Sequence, residues 1–309
     1  MKTYNNIDDF TCTKEMAVTI GTFDGLHLGH QKIIGRLKEI ANEINGETVV
    51  VTFDPHPRLV LYADSKNLKF INTRERKFKL LEEFGIDHLI IIPFTKEFAK
   101  NTPEDFIRNF LTQKINMNKL VIGYDHHFGN QREGNFERLS ELGEKYDFLV
   151  EEIPALYVNG TAVSSTKIRH ALMDGEVKWA NDMLGYKYSI TGIVVEGNQI
   201  GRTIGFPTAN IEIEDKYKLI AAGGVYACEI EYKGKMFSGM GNIGTRPTIG
   251  INGLVTEVHI FDFNEDIYNK EIRIIFVDRI RDEVKFKGLE ALKEQLSKDR
   301  ENVKGLFAG

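Results

Sequence analysis

The sequence contains few cysteines and no long apolar run. Its two cysteines, Cys12 and Cys228, cannot build a disulfide framework in a chain of 309 residues, which favours a reducing compartment. The first six residues are polar and no signal-peptide-like apolar segment follows them. The longest apolar runs, such as residues 89–94, are too short to cross a bilayer. We therefore expect a cytoplasmic protein that has no membrane partner.

An excess of positive charge is also missing. The chain has 40 Lys and Arg against 45 Asp and Glu, a formal net charge of -5, which disfavours a nucleic-acid partner. What is there is globular: 42% of the residues are hydrophobic and 28% are charged. The length suits two domains or one large barrel, and the oligomeric state does not follow from it.

Strand-like and helix-like segments alternate through the first half of the chain. The strand-like segments are 17–20, 48–53, 88–93, 119–123 and 148–153, and the helix-like ones are 29–44, 74–84 and a segment opened by Thr102 and Pro103. This alternation predicts crossover connections on a parallel sheet, and therefore an α/β domain. Asn159-Gly160 predicts the turn of a hairpin.

The pattern changes after about residue 185. The strand-like segments 188–196, 225–232, 235–241, 255–263 and 270–280 follow one another without an intervening helical pattern, and the last segment, 288–306, has apolar residues at helical spacing. We expect an antiparallel barrel with a closing helix. The predicted domains are therefore residues 1–185 and 186–309.

One Gly-rich motif follows the first predicted strand and opens the first predicted helix, in the run GTFDGLHLGH at 21–30. A helix N-terminus supplies free N–H groups and a positive dipole end, and glycines let a ligand approach the backbone. His27 and His30 are spaced to lie on one side of the helix. The motif therefore predicts a phosphate site; a pair of surface histidines and a metal pair completed by Asp24 are the alternatives.

With this motif the sequence resembles the HxGH nucleotidyltransferases, which have a Rossmann-like domain and release pyrophosphate. Three further segments resemble the flavin-binding loops and phosphate motif of bacterial FAD synthetases: TFDPHPR at 52–58, GYDHHFG at 123–129 and SSTKIR at 164–169. They follow strands or open a helix, where doubly wound sheets bind ligands. His126-His127 and Thr22 depart from the usual pattern.

The second half resembles the riboflavin kinases. The run GRTIGFPTAN at 201–210 contains their GFPTAN segment, and GMGNIGTRPT at 239–248 and EVHIFDF at 257–263 follow it. The two halves together resemble the bifunctional riboflavin kinase/FAD synthetases over nearly the whole chain. The resemblance implies that riboflavin is phosphorylated by Mg-ATP to FMN in the barrel. FMN is then adenylylated by a second ATP to FAD in the α/β domain.

The resemblance and the chemistry together predict a role for each residue of these motifs. The kinase step removes a proton from an alcohol, which suits the Glu257 carboxylate, whereas the adenylylation step uses a phosphate nucleophile and needs charge stabilisation. The predicted catalytic residues are His27, His30, Arg169 and Glu257, and the predicted Mg²⁺ ligands are Thr208 and Asn210. The predicted ATP-binding residues are Gly21, Thr22, Phe23, Asp24, Gly29, Ser164, Ser165, Thr166, Gly201, Arg202 and Gly205, and the predicted flavin-binding residues are Asp54, His56, Arg58, Asp125 and Phe128.

Four alternatives compete with this interpretation. The run GMGNIG at 239–244 has the letters of a dinucleotide-binding turn, but no helix pattern follows it. A nucleotidyltransferase for pantetheine phosphate or nicotinamide mononucleotide would not need a kinase barrel. A class I aminoacyl-tRNA synthetase would need an anticodon-binding module. A flavin-binding protein without activity would tolerate the loss of His27, His30 or Glu257.

Overall fold

The computed structural model describes residues 1–62, 68–124, 134–197, 200–245 and 253–308, together with the backbone but not the side chains of residues 200 and 245. The chain divides into two compact units, Met1–Ser164 and Ser165–Gly309. Within the described ranges, no helix combines the length and the apolar character that a bilayer crossing requires.

The first unit is built on a six-stranded sheet whose described pairings are all parallel. Its strands are β1 (Lys2–Tyr4), β2 (Met16–Ile20), β3 (Glu47–Asp54), β4 (His88–Pro93), β5 (Met117–Gly123) and β6 (Leu149–Ile153), in the spatial order β1-β4-β3-β2-β5-β6. All five residues of β2 are buried, as expected of a central strand that is covered on both faces. The strand order reverses beside β2, and ligands of doubly wound sheets bind at such a point, at the carboxyl ends of the strands.

The helices of this unit connect the parallel strands. They are α1 (Leu28–Glu43), α2 (Pro57–Leu61), α3 (Arg74–Glu83), α4 (Pro103–Phe106), α5 (Gln113–Ile115) and α6 (Phe136–Tyr146). The helix that Thr102 and Pro103 predict is short: α4 is followed by a π-helical stretch, Ile107–Thr112. The Thr112 hydroxyl donates to the Arg108 carbonyl at 2.9 Å there, which supports the wider turn.

A small hairpin precedes the second unit. Its strands are β7 (Tyr157–Val158) and β8 (Thr161–Ala162), joined by Asn159 and Gly160, both of which have positive φ angles. The hairpin predicted from Asn-Gly is therefore confirmed.

The second unit is a closed antiparallel barrel that follows two helices. The helices are α7 (Ser165–Met173) and α8 (Val177–Leu184), and the strands are β9 (Ser189–Val195), β10 (Ala209–Glu212), β11 (Gly224–Tyr232), β12 (Lys235–Thr245), β13 (Leu254–Ile260) and β14 (Glu271–Arg281). The barrel order is β10-β13-β12-β11-β14-β9, and β10 closes it by pairing with β9 as well as β13. A short helix, α9 (Ile200–Thr203), precedes β10, and α10 (Leu289–Ala308) is the predicted closing helix.

The helix α10 packs against the outside of the barrel. Val303 is fully buried, and Leu292, Leu296 and Phe307 pack on a cluster that includes Phe206 of the GFPTAN segment. Asp299 is also fully buried, and its carboxylate accepts hydrogen bonds from the Arg281 guanidinium of β14 and from Gln295. Apolar contacts and an ion pair therefore hold the helix beside the GFPTAN segment.

Candidate active sites

The loop between β2 and α1 carries the predicted phosphate site. Phe23 and Leu26 have φ angles of 50° and 39°, a region that residues with a side chain seldom adopt. Asp24 is buried, and its carboxylate accepts a hydrogen bond from the Ile71 N–H at 2.9 Å. Packing thus fixes a strained backbone at the carboxyl end of the central strand, which is typical of functional loops.

The two histidines of the motif lie face to face at the start of α1. Their ring centroids are 3.7 Å apart and the planes differ by 15°. His27 is the N-cap residue, and its Nδ1 accepts a hydrogen bond from the His30 N–H at 3.4 Å. The sequence predicted free N–H groups here, but the His30 N–H is capped by the imidazole instead. Asp, Ser, Thr and Asn are the usual caps, so sequence reasoning had no signal for this one.

Burial favours the neutral form of His30, the second imidazole of this pair. His30 Nδ1 is inaccessible to solvent and has no hydrogen-bond partner among the described residues. Burial, and to a lesser extent His27, hold the pKa of His30 well below its ordinary value of 6.5. Among the residues that the structure describes, no group of three or more His, Cys, Asp or Glu residues is arranged to hold a metal ion. The arrangement supplies fixed ring nitrogens beside a helix N-terminus, where a phosphate binds well.

Two cations of α3 reach this edge of the sheet, and no sequence motif pointed to them. The Lys77 ammonium donates to the Thr22 carbonyl at 3.3 Å and to the Thr52 hydroxyl at 3.4 Å. Arg74, one turn earlier, forms an ion pair with Asp54 at 2.8 Å. In the charged run of 74–79 both residues have the pattern of an exposed helix, so only their positions in the fold reveal them.

The predicted flavin-binding residues occupy the end of β3 and the start of α2. Asp54 is the last residue of β3, and the side chain of His56 caps α2 by accepting a hydrogen bond from the Arg58 N–H at 3.1 Å. The His56 ring lies 4.6 Å from the Phe70 ring, and Arg58 is exposed. The other two predicted contacts, Asp125 and Phe128, lie outside the described residues, as do His126 and His127.

The predicted phosphate motif at 164–169 spans the division between the two units. Ser164 is the last residue of the first unit, whereas Ser165 begins α7 in the second. The Arg169 guanidinium donates to the Thr166 hydroxyl at 3.2 Å on the first turn of that helix. The motif therefore opens a helix, as expected from the sequence, and its approach to the histidine pair stays a prediction.

In the barrel, the GFPTAN segment forms a tight loop that runs into β10. The Phe206 N–H donates to the Gly201 carbonyl at 2.8 Å, and a Cβ atom at Gly201 would lie only 2.1 Å from the Phe206 carbonyl oxygen. On the other side, His259 Nδ1 lies 2.7 Å from the Pro207 carbonyl oxygen. A carbonyl oxygen can only accept, so Nδ1 carries the proton and donates the hydrogen bond. His259 is a further residue that holds this loop, and its pKa is lowered, chiefly by burial.

A cavity of about 420 Å³ lies beside this loop. Arg202 and Thr208 line one side of it, and residues 263–268, which follow β13, line the other. Its volume falls within the usual range of small-molecule pockets. The predicted ATP contact Arg202 and the predicted metal ligand Thr208 therefore border one cavity.

The register of the barrel brings the other two predicted kinase residues together. Asn210 of β10 is directly opposite Glu257 of β13, and Glu257 is directly opposite Asn242 of β12. Opposite residues of an antiparallel pair share a face, with Cβ atoms about 4.5–5.5 Å apart. Thr256 and Val258 are buried on the other face, inside the barrel. Glu257 thus has two amide side chains as cross-strand neighbours.

Comparison with known proteins assigns both units. The FAD synthetase family model matches residues 9–167, and the riboflavin kinase family model matches residues 184–307. The bifunctional riboflavin kinase/FMN adenylyltransferase of Buchnera aphidicola subsp. Schizaphis graminum is 40% identical, over 94% of this chain and 94% of that protein. The chain belongs to the bifunctional riboflavin kinase/FMN adenylyltransferases.

Other comparisons agree on the extent of the match. The bifunctional riboflavin kinase/FMN adenylyltransferase of Haemophilus influenzae is 38% identical over 94% of both chains. A solved structure described as a macrolide-efflux protein from Streptococcus pneumoniae has 31% identity and a TM-score of 0.89, and the match covers 98% of each chain. The fold is therefore shared along nearly the whole length of this chain.

The family membership decides between the alternatives raised by the sequence. A bifunctional riboflavin kinase/FMN adenylyltransferase phosphorylates riboflavin to FMN and then adenylylates FMN to FAD, which excludes the other nucleotidyltransferases, the aminoacyl-tRNA synthetases and an inactive flavin carrier. The dinucleotide-binding interpretation of GMGNIG is also excluded, because residues 239–244 lie within strand β12.

Proposed function

We propose that the loop and helix start around His27 and His30 form the FMN adenylyltransferase site. An oxygen of the FMN phosphate attacks the α-phosphorus of ATP, a new P–O bond forms, and the bond to pyrophosphate breaks. The nucleophile is already an anion, so the residues stabilise charge instead of removing a proton. The stacked imidazoles at the N-terminus of α1 carry this proposal.

Other residues of the sequence motifs have proposed roles in the same reaction. Gly21 to Asp24 and Gly29 would form the ATP-binding loop, Ser164 to Thr166 would donate to the phosphates, and Arg169 would stabilise the leaving pyrophosphate. Asp54, His56 and Arg58, together with Asp125 and Phe128, would bind the flavin.

We propose that the riboflavin kinase site lies where β10 faces β13. The 5′-hydroxyl of riboflavin attacks the γ-phosphorus of ATP, its proton passes to the Glu257 carboxylate, and ADP leaves. Arg202 would bind the nucleotide in the cavity that it borders together with Thr208, and Gly201 and Gly205 would form the flap. The opposition of Asn210 and Glu257 on one face carries this assignment.

Magnesium fits the donor atoms at this position. Thr208 and Asn210 offer a hydroxyl and an amide oxygen, which suit a hard cation that is also bound by phosphates. The Asn210 amide occupies space that a side chain at position 197 would fill, since a Cβ atom on Gly197 would lie 2.0 Å from Asn210 Nδ2. Mg²⁺, when bound, would offset negative charge on the nucleotide phosphates, and Glu257 would accept the proton.

We also propose that the functional boundary lies near residue 185, with the adenylyltransferase before it and the kinase after it. The FAD synthetase family model ends at residue 167 and the riboflavin kinase family model begins at residue 184.

The proposed place of action is the cytoplasm, where the enzyme would use riboflavin, FMN and ATP. Its two cysteines are both free thiols, which is consistent with a reducing compartment.

Measuring the two half-reactions on one preparation tests the kinase assignment. Glu257→Gln keeps the size of the side chain but removes the base, so FMN formation from riboflavin should fall by roughly two to four powers of ten. FAD formation from supplied FMN should not change. Glu271→Gln, at an exposed position of β14, is the matched control and should alter neither rate. Normal FMN formation by Glu257→Gln would refute the assignment.

A second variant tests the adenylyltransferase assignment. His30→Ala should lower FAD formation from FMN by roughly a hundredfold or more, the scale of losing one fixed donor. FMN should still accumulate from riboflavin. An unchanged rate of FAD synthesis would mean that the histidine pair takes no part in the chemistry.

A further inference from the structure

The Lys77 ammonium joins two segments of the adenylyltransferase unit that different strands deliver. Thr22 lies in the loop after β2, which continues to the histidine pair. Thr52 lies in β3, two residues before Asp54. The ammonium donates to the Thr22 carbonyl and the Thr52 hydroxyl at 3.3 and 3.4 Å. A single cation from α3 therefore contacts both segments at the carboxyl edge of the sheet.

The charged groups around Lys77 come from three elements. Asp24 in the loop after β2 and Asp54 at the end of β3 both favour the protonated amine, whereas Arg74 on α3 itself opposes it. Burial is the largest influence, and the pKa of Lys77 is lowered to about 8. The amine therefore loses its charge within the pH range in which enzyme rates are measured.

A structural role alone would not need this charge. A buried ammonium is costly to desolvate, and an apolar side chain of similar length would fill the same space without that cost. Lys77 donates its hydrogen bonds to a backbone carbonyl of the loop and to a hydroxyl group of the adjacent strand. These contacts restrain the position of the loop relative to β3.

We propose that Lys77 is a positioning residue for adenylyl transfer, which holds the loop after β2 against β3 so that His27 and His30 keep one arrangement towards the ATP phosphates. The proposal rests on the assignment of the adenylyltransferase site to that loop. Lys77 acts through Thr22 and Thr52, and its positive charge also attracts Asp24 of the loop and Asp54 of β3, so the protonated amine is the active form.

The test measures kcat for FAD formation from FMN and ATP between pH 6.5 and 9.5 for the full chain and two variants. The wild type should lose rate as the pH rises through about 8, where Lys77 loses its proton. Lys77→Arg stays charged over this range and should lack that decline. Lys77→Met should be slower by about a hundredfold at pH 7, the scale of a displacement of roughly 1 Å, and should also lack the decline.

The riboflavin kinase rate of the same preparations is the internal control and should be equal in all three proteins. A Lys77→Met variant with the wild-type rate, or a Lys77→Arg variant with an unchanged alkaline decline, would overturn the proposal. If Lys77→Met does not fold, the pH profile of Lys77→Arg decides alone. Loss of FAD formation in His30→Ala with no effect of Lys77→Met would leave the site assignment standing and remove only the role of Lys77.

Discussion

Replacing Gly201 with alanine should damage the kinase through a single methyl group. The loop that carries the GFPTAN segment folds back on Gly201, whose carbonyl accepts a hydrogen bond from the Phe206 N–H at 2.8 Å. The Cβ atom of Gly201→Ala would lie 2.1 Å from the Phe206 carbonyl oxygen and 3.5 Å from Thr208 Oγ1. The nearest obstacle is backbone, so no side-chain rotation can relieve the contact.

The size of the effect follows from the distance that must be recovered. Ordinary contact begins at 3.4 Å, so the Phe206 backbone must move by about 1.3 Å. One residue separates Phe206 from Thr208, and three separate it from Asn210. Both Thr208 and Asn210 must therefore move with the Phe206 backbone. A misplacement of about 1 Å in a catalytic site can cost about a hundredfold in rate, or roughly 2.7 kcal/mol in activation free energy.

Chromatography of FMN formed from riboflavin and ATP measures this effect. We expect Gly201→Ala to lose about a hundredfold in FMN formation while FAD formation from supplied FMN stays at the wild-type rate. Gly288→Ala is the matched control, because a Cβ atom there meets nothing within 4 Å. A Gly201→Ala enzyme that makes FMN normally would refute the link between this loop and catalysis.

Three further predictions concern stability. Asp299→Asn leaves the Arg281 guanidinium without its buried carboxylate. The free energy of unfolding, measured in denaturant, should therefore fall by about 3–5 kcal/mol. A fall below about 1 kcal/mol would contradict this expectation. A fragment of residues 165–309 should have a higher Tm than a fragment of residues 186–309, because Asn181 of α8 donates to the Phe276 carbonyl at 2.9 Å. Equal Tm values would mean that α7 and α8 do not stabilise the barrel. Arg36, followed by Lys119, lowers the pKa of Glu151 from 4.5 to about 2, so the stability from this carboxylate is present above pH 4.5 and is lost as the pH falls towards 2. Unfolding at pH 3 and pH 6 should therefore differ less in Glu151→Gln than in the wild type.

Most strands could be predicted from the sequence because their β-branched runs are continuous. The strand predicted at 88–93 has those bounds in the structure, and the strand predicted at 17–20 gains only Met16. The short strand β10 was not predicted, since its four residues have no pattern of their own and become a strand by pairing with β9 and β13. Local sequence does not contain that information.

The residues of the candidate sites also fall into two groups: those that the sequence indicates and those that only the fold reveals. His27, His30, Glu257 and Asn210 lie in motifs, so the sequence indicates them directly. The Lys77 side chain is different, because its helix reads RERKFKLLEE and every cation in it has the sequence pattern of a solvent-exposed residue. Its partners on β3 and in the loop after β2 are defined only once the parallel sheet is assembled.

The strand β10, which closes the barrel, has a consequence for the dynamics and the evolution of this domain. The strand that closes the barrel is four residues long, pairs on both sides, and carries Asn210 opposite Glu257. Any fluctuation that opened the barrel at β10 would separate these two residues, so the amide protons of β10 should exchange with deuterium no faster than those of β13 in an active enzyme. Mutations that loosen this strand would cost activity before they cost global stability, and selection for activity would then preserve the closure of the fold.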